Sequence, residues 1–234
     1  MVIQVYMRFL FFIKFLLLCC LVFGQKNVRV QWDTTFLSQE QYHILKEEFG
    51  QHKKLPAGYE KVALHALSFF PELKNNRIHF KVRANGAPVS SRPAWGSLFR
   101  SAGKRTYMVF INGGKDSSRF GSIFRNASDA AQAGVLGHEL CHVVNFSKET
   151  SFGLMGMGVA HVSKNYMDRF EFYTDSLAIA HGLGNYQKSW AAIFDKLFAN
   201  SGMENPFKSK STPTGERYMS VATIDVYMKK MGYQ

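Results

Sequence analysis

Two histidines and a glutamate at fixed spacing offer metal chemistry near the middle of the chain. His138, Glu139 and His142 form the pattern His-Glu-x-x-His. On a helix, two histidines four residues apart lie on the same face and can bind one zinc ion. The glutamate beside the first histidine can then act as general base on a water molecule that the zinc activates. The pattern therefore predicts a site for one catalytic Zn²⁺.

The alternative is a core helix that carries two incidental histidines. Two imidazoles on one apolar turn would leave buried nitrogens without partners, which is costly. We therefore favour the zinc interpretation. The flanks favour a helix, since residues 127–140 contain no proline and are rich in alanine. Asn126 or Ser128 could cap its start, and Asp129 suits the positive end of the helix dipole. Gly134, one turn before His138, could leave room for a neighbouring strand or a substrate.

A catalytic zinc site needs a third protein ligand and one open position. The metzincin class is excluded, because Asn145 and Lys148 stand where its glycine and third histidine would be. Four residues farther along the chain remain as candidates for the third ligand: Glu149, His161, Asp168 and Glu171.

Sequence context favours Glu171 among these four. Glu171 and Asp175 form the pattern Glu-x-x-x-Asp in a predicted helix, so they lie one turn apart on one face. Glu171 could bind the zinc ion while Asp175 accepts a hydrogen bond from the far nitrogen of a zinc-binding histidine.

His-Glu-x-x-His followed by Glu-x-x-x-Asp resembles the gluzincin metallopeptidases, the thermolysin-like clan, over residues 128–182. The compact members related to the CAAX-protease and heat-shock-protease branch are the most similar. Residues 212–217, Thr-Pro-Thr-Gly-Glu-Arg, are similar to that branch's Thr-His-Pro-x-x-x-x-Arg segment, but the histidine is absent and the spacing is one residue shorter. The donor that stabilises the oxyanion is therefore unassigned, and five residues are candidates: Tyr166, His161, His181, Arg217 and Tyr218.

The N-terminus is typical of a secretory signal peptide. Arg8 and Lys14 precede an apolar run at residues 15–23, and Gly24 is small enough to precede cleavage before Gln25. A run of this length is too short to cross about 30 Å of hydrocarbon as a helix. We therefore expect export to the periplasm, the cell surface or the medium, without a lipid anchor. The mature chain would keep only Cys141, which we expect to be a small buried apolar residue.

Hydrophobic periodicity predicts an α+β fold. Strands are expected at 27–32, 77–83 and 106–112, and helices at 38–49, 57–70, 164–181 and 186–199. Residues 152–159 are expected to form a flexible or tightly turned link and residues 200–215 a loop, and Ser220 is expected to cap a last helix that reaches Met231. The strand 106–112 is expected to form the edge of the cleft and to hold substrate by backbone pairing.

We expect one zincin-like domain, residues 25–234, behind the signal peptide. It would combine an α/β part with a small mixed sheet and the zinc helix (25–147) and an all-helical part with the third ligand (148–234), with the zinc cleft between them. The expected function is hydrolysis of peptide bonds in a peptide or protein. Two alternatives remain: a zinc amidase or endopeptidase acting on peptidoglycan or another anionic surface polymer, and a non-catalytic surface-binding protein with a structural zinc.

Charge is unevenly distributed. The chain carries a formal net charge of +12, and residues 73–125 contain many Lys and Arg residues but a single acid, Asp116. Such a field favours anionic substrates or peripheral contact with an anionic surface. A solvated basic surface without a specific partner is the alternative. No recognition motif accompanies the charge, so a nucleic-acid partner is not expected.

Overall fold

The computed structural model describes residues 37–84, 86–113, 121–201 and 205–233. The chain separates into two units, residues 1–32 and 33–234, and all described residues belong to the second. The predicted signal peptide, its cleavage site before Gln25 and the predicted strand 27–32 lie outside the described residues.

A four-stranded mixed sheet forms the β part of this α+β fold. Its strands are β1 (Lys53–Lys54), β2 (Arg77–Arg83), β3 (Val89–Pro93) and β4 (Thr106–Asn112), in the order β1-β2-β4-β3. β1, β2 and β4 are parallel, and β3 pairs antiparallel with β4 in a register that sets Val89 opposite Ile111. Within the described part of the chain, β3 and not β4 is therefore at the outer edge of the sheet. The expectation that residues 106–112 form the edge of the cleft was wrong, because the short strand β3 covers them.

The described residues include eight α-helices, and the chain beyond the sheet is helical. They are α1 (Gln39–Phe49), α2 (Glu60–Ser68), α3 (Gly121–Asn126), α4 (Asp129–Lys148), α5 (Ser151–Ala160), α6 (Lys164–Ala180), α7 (Gly184–Ser201) and α8 (Val221–Lys230). Side-chain caps begin several of them. Ser38 and Gln41 form a reciprocal capping box on α1, and Ser220 accepts a hydrogen bond from the Thr223 amide at the start of α8. Both predicted caps are confirmed.

The core lies between one face of the sheet and helices α2 and α4. Strand residues such as Ile78, Val109 and Ile111 are fully buried there. Successive side chains of a strand point to opposite faces of the sheet, so alternate residues face the core. α4 contacts both β3 and α2. Cys141 is buried on α4 and has a free thiol, as predicted.

Residues 152–159, predicted to be a link, instead belong to helix α5. The Thr150 hydroxyl accepts a hydrogen bond from the Gly153 amide and caps the helix. Leu154 and Met157 pack on the core from one side of it. Capping and packing thus offset the low helix propensity of three glycines. None of the helices in the described ranges is both long and apolar enough to span a membrane.

Candidate active site

The central helix α4 brings the His-Glu-x-x-His residues into the interior. Ser128 caps it by accepting a hydrogen bond from the Ala131 amide, so the cap is Ser128 rather than Asn126. Gln132 donates its side-chain amide to the carbonyls of Phe124 and Ala127, which ties α3 to the first turns of α4. The helix continues without interruption through His138, Glu139 and His142, all three of which are buried.

Gly134 sets how closely α7 approaches α4. A Cβ atom at position 134 would lie 2.3 Å from the backbone oxygen of Tyr186, far inside van der Waals contact. Gly137 is similar, with a Leu183 methyl group 2.4 Å from its hypothetical Cβ. The space beside Gly134 therefore belongs to the first turn of α7, and not to a strand or a substrate as expected from the sequence. This close approach places Gln187 next to the site.

Glu171, on α6, meets both histidines at one point. Its Oε2 lies 3.0 Å from His138 Nε2 and 3.2 Å from His142 Nε2. Ligands held about 2.1 Å from a tetrahedral metal lie roughly 3.4 Å apart, so each histidine nitrogen lies almost as far from Glu171 Oε2 as one metal ligand lies from another. His138, Glu139 and His142 also offer donor atoms within 4.8 Å of one another. This buried His and Glu group could hold a metal ion.

The far nitrogens of both histidines have partners on α6. His138 Nδ1 lies 2.7 Å from Asp175 Oδ1, and His142 Nδ1 lies 3.4 Å from Thr174 Oγ1. Since the Thr174 hydroxyl donates to the Phe170 carbonyl, it is left to accept from His142 Nδ1–H. Asp175 can only accept when ionised. Both Nδ1 atoms therefore act as donors, and the Nε2 atoms, which face Glu171, are the atoms that would bind a metal once their protons are lost to it.

Asp175 is itself held by two donors. The Met219 amide donates to its Oδ2 at 2.8 Å, and Gln187 donates to its Oδ1 at 3.3 Å. These bonds join α6 to α7 and to the segment before α8. Asp175 is therefore fixed before any ligand arrives, and the His138 ring with it.

Electrostatics in the cluster follow from burial and from charge pairing. Burial alone would lower the pKa of His138, but hydrogen bonds and charges from Asp175 and Glu171 outweigh it, and the pKa lies well above its usual value. Burial would raise the pKa of Glu171, but hydrogen bonds from both histidines lower it far below the usual range. Glu171 is therefore an anion at neutral pH, as a metal ligand must be.

Glu139 lies beside this cluster at the sheet's edge. Its backbone oxygen accepts a hydrogen bond from the Ser91 hydroxyl of β3 at 3.1 Å. β3 therefore lies directly against the turn of α4 that carries His138 and Glu139. Because β3 is an outer strand, an extended peptide could pair with it next to this turn.

A cavity of about 270 Å³ opens from the cluster. His138, Glu139 and Asp175 line one end of it, and Gly86 to Val89 line the edge that leads into β3. Four aromatic residues, Trp190, Phe194, Phe198 and Phe207, also line it, together with Asp195. No Lys or Arg is among the described residues that line the cavity. The aromatic part of the lining is therefore suited to an apolar group.

Of the five candidates for the oxyanion donor, Tyr218 alone lines this cavity. Its ring centroid is 5.9 Å from that of His138. Burial, together with the charges of Glu171, Glu139 and Asp175, raises the pKa of Tyr218 well above its usual value. Its hydroxyl is thus a proton donor at neutral pH.

The other four candidates have partners elsewhere. His161 donates from Nδ1 to the Met157 carbonyl and packs against Phe170, on whose ring Tyr166 stacks. His181 lies against Glu72 and Phe70. Arg217 pairs with the fully buried Asp168, which Lys164 also contacts. Asp168, which was a candidate for the third metal ligand, is therefore part of an ion-pair network instead. Glu149, another candidate for that ligand, lies at the end of α4.

Sequence reasoning missed four contributors: Ser91, Thr174, Gln187 and the Met219 amide. Thr174 carried a signal, because it lies three residues after Glu171 and therefore on the same helix face. The other three come from β3, from α7 and from the segment before α8, and no local pattern connects them to α4.

No protein-family model matches the chain, and neither curated proteins nor solved structures show a significant similarity to it.

Proposed function

We propose that the chain is a zinc-dependent peptidase of gluzincin type, with His138, His142 and Glu171 as metal ligands and Glu139 as general base. The single observation that carries the proposal is the convergence of two histidine Nε2 atoms and Glu171 Oε2 within 3.0 to 3.2 Å, at the end of a cavity. A site built only for structure would gain nothing from an adjacent cavity and from a third carboxylate, Glu139, that is not among the proposed ligands.

The donor set favours zinc among divalent metals. Two imidazoles and one carboxylate suit Zn²⁺ in a catalytic site that keeps its fourth position open. A bound Zn²⁺ would supply Lewis-acid chemistry, polarising the scissile carbonyl and making water acidic enough to lose a proton near neutral pH.

The protein's own groups would then carry out the proton transfers. The Glu139 carboxylate takes a proton from the attacking water and passes it to the nitrogen of the leaving amine. The Tyr218 hydroxyl donates a hydrogen bond to the carbonyl oxygen as negative charge develops on it. Asp175 holds His138 in one tautomer throughout, while the Met219 amide and Gln187 hold Asp175.

The substrate is a peptide that pairs with β3 and places an apolar side chain against the aromatic residues of the cavity. Burying a large apolar side chain there contributes about 2 kcal/mol of binding free energy. Phe194 and Phe198 are one turn apart on α7 and both line the cavity. Peptides with a bulky apolar residue next to the scissile bond are therefore the expected substrates.

Substitution Glu139→Gln tests the catalytic role separately from metal binding. The amide keeps the size of the side chain but cannot accept the proton, so we expect turnover of a peptide library to fall by about 10³-fold. Zinc content by mass spectrometry should stay at one ion per chain. Purified peptidoglycan is assayed beside the library.

Unchanged turnover in Glu139→Gln would remove Glu139 from the mechanism. Wild-type protein that binds zinc but cleaves nothing would favour a structural site. Cleavage of peptidoglycan alone would replace the peptidase assignment with a cell-wall hydrolase.

A further inference from the structure

Exposed apolar side chains lie on α5, directly after it and in the loop between β3 and β4, and none of them lines the cavity beside the buried histidines. They are among the most exposed large apolar side chains of the described residues: Trp95 (73%), Phe99 (80%), Phe152 (82%), Met155 (44%), Val159 (75%) and Val162 (88%). We call this set the apolar ridge. Apolar residues exposed singly are ordinary, but a contiguous set of this size indicates a binding surface.

The α5 part of the ridge is a regular stripe. Phe152, Met155 and Val159 are spaced three and four residues apart and so share one face, while Leu154 and Met157 lie on the opposite face and pack on the core. The helix contains no charged residue between Ser151 and Ala160. Its outer face is therefore as apolar as its inner one.

Hydrogen bonds join α5 to the loop that carries Trp95 and Phe99. The Ser151 hydroxyl donates to the Leu98 carbonyl at 2.9 Å. The fully buried Arg105 side chain donates to the carbonyls of Arg100 and Glu149 and to the Ser151 hydroxyl. Phe99 and Phe152 are thus the residues that directly follow the two partners of the hydrogen bond between Leu98 and Ser151. Arg105 makes the two segments one structural unit.

Basic side chains border the ridge. Arg100, Lys104 and Lys148 are exposed, and Arg92 lies over the Trp95 ring at 5.0 Å. Segments 92–112 and 145–162 contain one acidic residue, Glu149. None of these four basic side chains forms an ion pair with a described acidic residue. Among the described residues, the positive charge that borders the apolar ridge is therefore not neutralised by ion pairs.

We propose that the apolar ridge docks the protein on the surface of an anionic lipid bilayer. Trp and Phe side chains suit the boundary between headgroups and acyl chains, and Arg and Lys suit the phosphate level above it. α5 is about 15 Å long, so it lies in the interface and does not cross the bilayer. Peripheral binding of this kind needs both apolar insertion and charge attraction.

The charge pattern distinguishes lipid from other occupants. A second copy meeting this surface across a two-fold axis would bring like charges together, which opposes association. Nucleic acid would leave the uncharged stripe of α5 without apolar partners. An anionic bilayer satisfies both the apolar ridge and its basic border.

Vesicle flotation of the full chain tests the proposal. The vesicles are phosphatidylcholine alone, or phosphatidylcholine with about 30% phosphatidylserine, a proportion chosen to give the negative surface potential that attracts basic segments. The double variant Phe99→Ser/Phe152→Ser should reduce the partition coefficient on anionic vesicles by roughly tenfold or more. Its matched control is Ile44→Ser/Val226→Ser, which removes two exposed apolar side chains from α1 and α8 and should bind like the wild type.

A charge series tests the border of the ridge. Arg100→Gln/Lys104→Gln/Lys148→Gln should weaken binding to anionic vesicles several-fold, and the control Lys61→Gln/Lys196→Gln/Lys229→Gln, with the same change in net charge, should not. Glu139→Gln should bind vesicles like the wild type, so this result is independent of the proposed peptidase activity. All variants share residues 1–36, so any contribution of these residues to vesicle binding is the same on both sides of each comparison.

Equal binding by the ridge variants and their controls would overturn the proposal and assign any vesicle binding to another part of the chain. Equal partition onto neutral and anionic vesicles would also overturn it. A change of mass in gel filtration caused by Phe99→Ser/Phe152→Ser would instead make the ridge a contact between copies of this chain.

Discussion

Helices α4 and α5 are consecutive in the chain, and each departs from the rule that polar side chains are exposed and large apolar ones are buried. They depart from it in opposite ways. α4 buries two histidines and a glutamate, and α5 exposes Phe152, Met155 and Val159. Buried polar groups and exposed large apolar groups are the two deviations that carry information about function. The difference teaches that α4 places polar groups that could hold a metal ion in the interior, whereas α5 places an apolar face on the surface.

The largest effect should follow from removing a ligand in the buried cluster. Glu171→Ala removes one of three proposed ligands, so zinc affinity should fall by more than about 100-fold, while Asp175→Ala should lower it by about 10- to 100-fold. Titration against a competing chelator gives both values. His161→Ala is the control and should leave affinity unchanged, because His161 bonds the Met157 carbonyl instead. Loss of zinc in His161→Ala with retention in Glu171→Ala would refute the ligand set.

Two glycines on the two helices sharpen the comparison. Gly134→Ala places a methyl group 2.3 Å from the Tyr186 oxygen, so the free energy of unfolding should fall by about 3 kcal/mol. Gly156→Ala, on α5, meets no atom within 4 Å and should raise it by about 0.5 kcal/mol through helix propensity. Urea unfolding measures both. Equal effects would mean that α7 does not pack against Gly134 as described.

Asp168 tests the ion-pair network behind α6. Burial raises its pKa, but Lys164, Ser209 and Arg217 lower it to about 2 from the usual 3.8. A lowered folded-state pKa adds stability above about pH 4 that is lost as the pH falls toward 2. Asp168→Asn should therefore cost roughly 2 kcal/mol at pH 7, and the difference from wild type should shrink below pH 4.

Unfolding of Asp168→Asn at pH 7, 4 and 3 provides the measurement. Glu48→Gln, which breaks the half-exposed pair with Lys74, is the matched control and should change stability by less than about 0.5 kcal/mol. A pH-independent cost for Asp168→Asn would show that packing rather than charge is responsible.

The smallest effect is expected on the outer face of α5. Phe152→Ser should change the free energy of unfolding by less than about 0.5 kcal/mol, because the residue is 82% exposed in the folded chain. Leu154→Ala, two residues away but buried at 7% exposure, should cost about 2 to 3 kcal/mol. Thermal unfolding of the two variants checks the contrast. A large loss from Phe152→Ser would show that the ridge is covered within the chain itself.

Much of the fold was predictable because the signals were local. Three kinds of feature depend only on neighbouring residues: the alternation in strands β2 and β4, the helix caps Ser38 and Ser220, and the span of α6. All of these predictions are confirmed. The α+β class and the helical second half are confirmed with them. β3 was missed because Val89 to Pro93 contains two serines and a proline, a weak strand pattern that only pairing with β4 stabilises.

In the candidate site, too, some features follow from local sequence and others only from tertiary packing. Spacing alone placed His138, Glu139 and His142 on one helix, and Glu171 and Asp175 on another, since a helix fixes which residues share a face. The signal peptide and the peptidase activity stay predictions. Only the tertiary structure brought Glu171 Oε2 to both imidazoles and supplied Gln187 and the Met219 amide to Asp175. The physical reason is that these contacts depend on how closely helices pack, which Gly134 permits but no local pattern specifies.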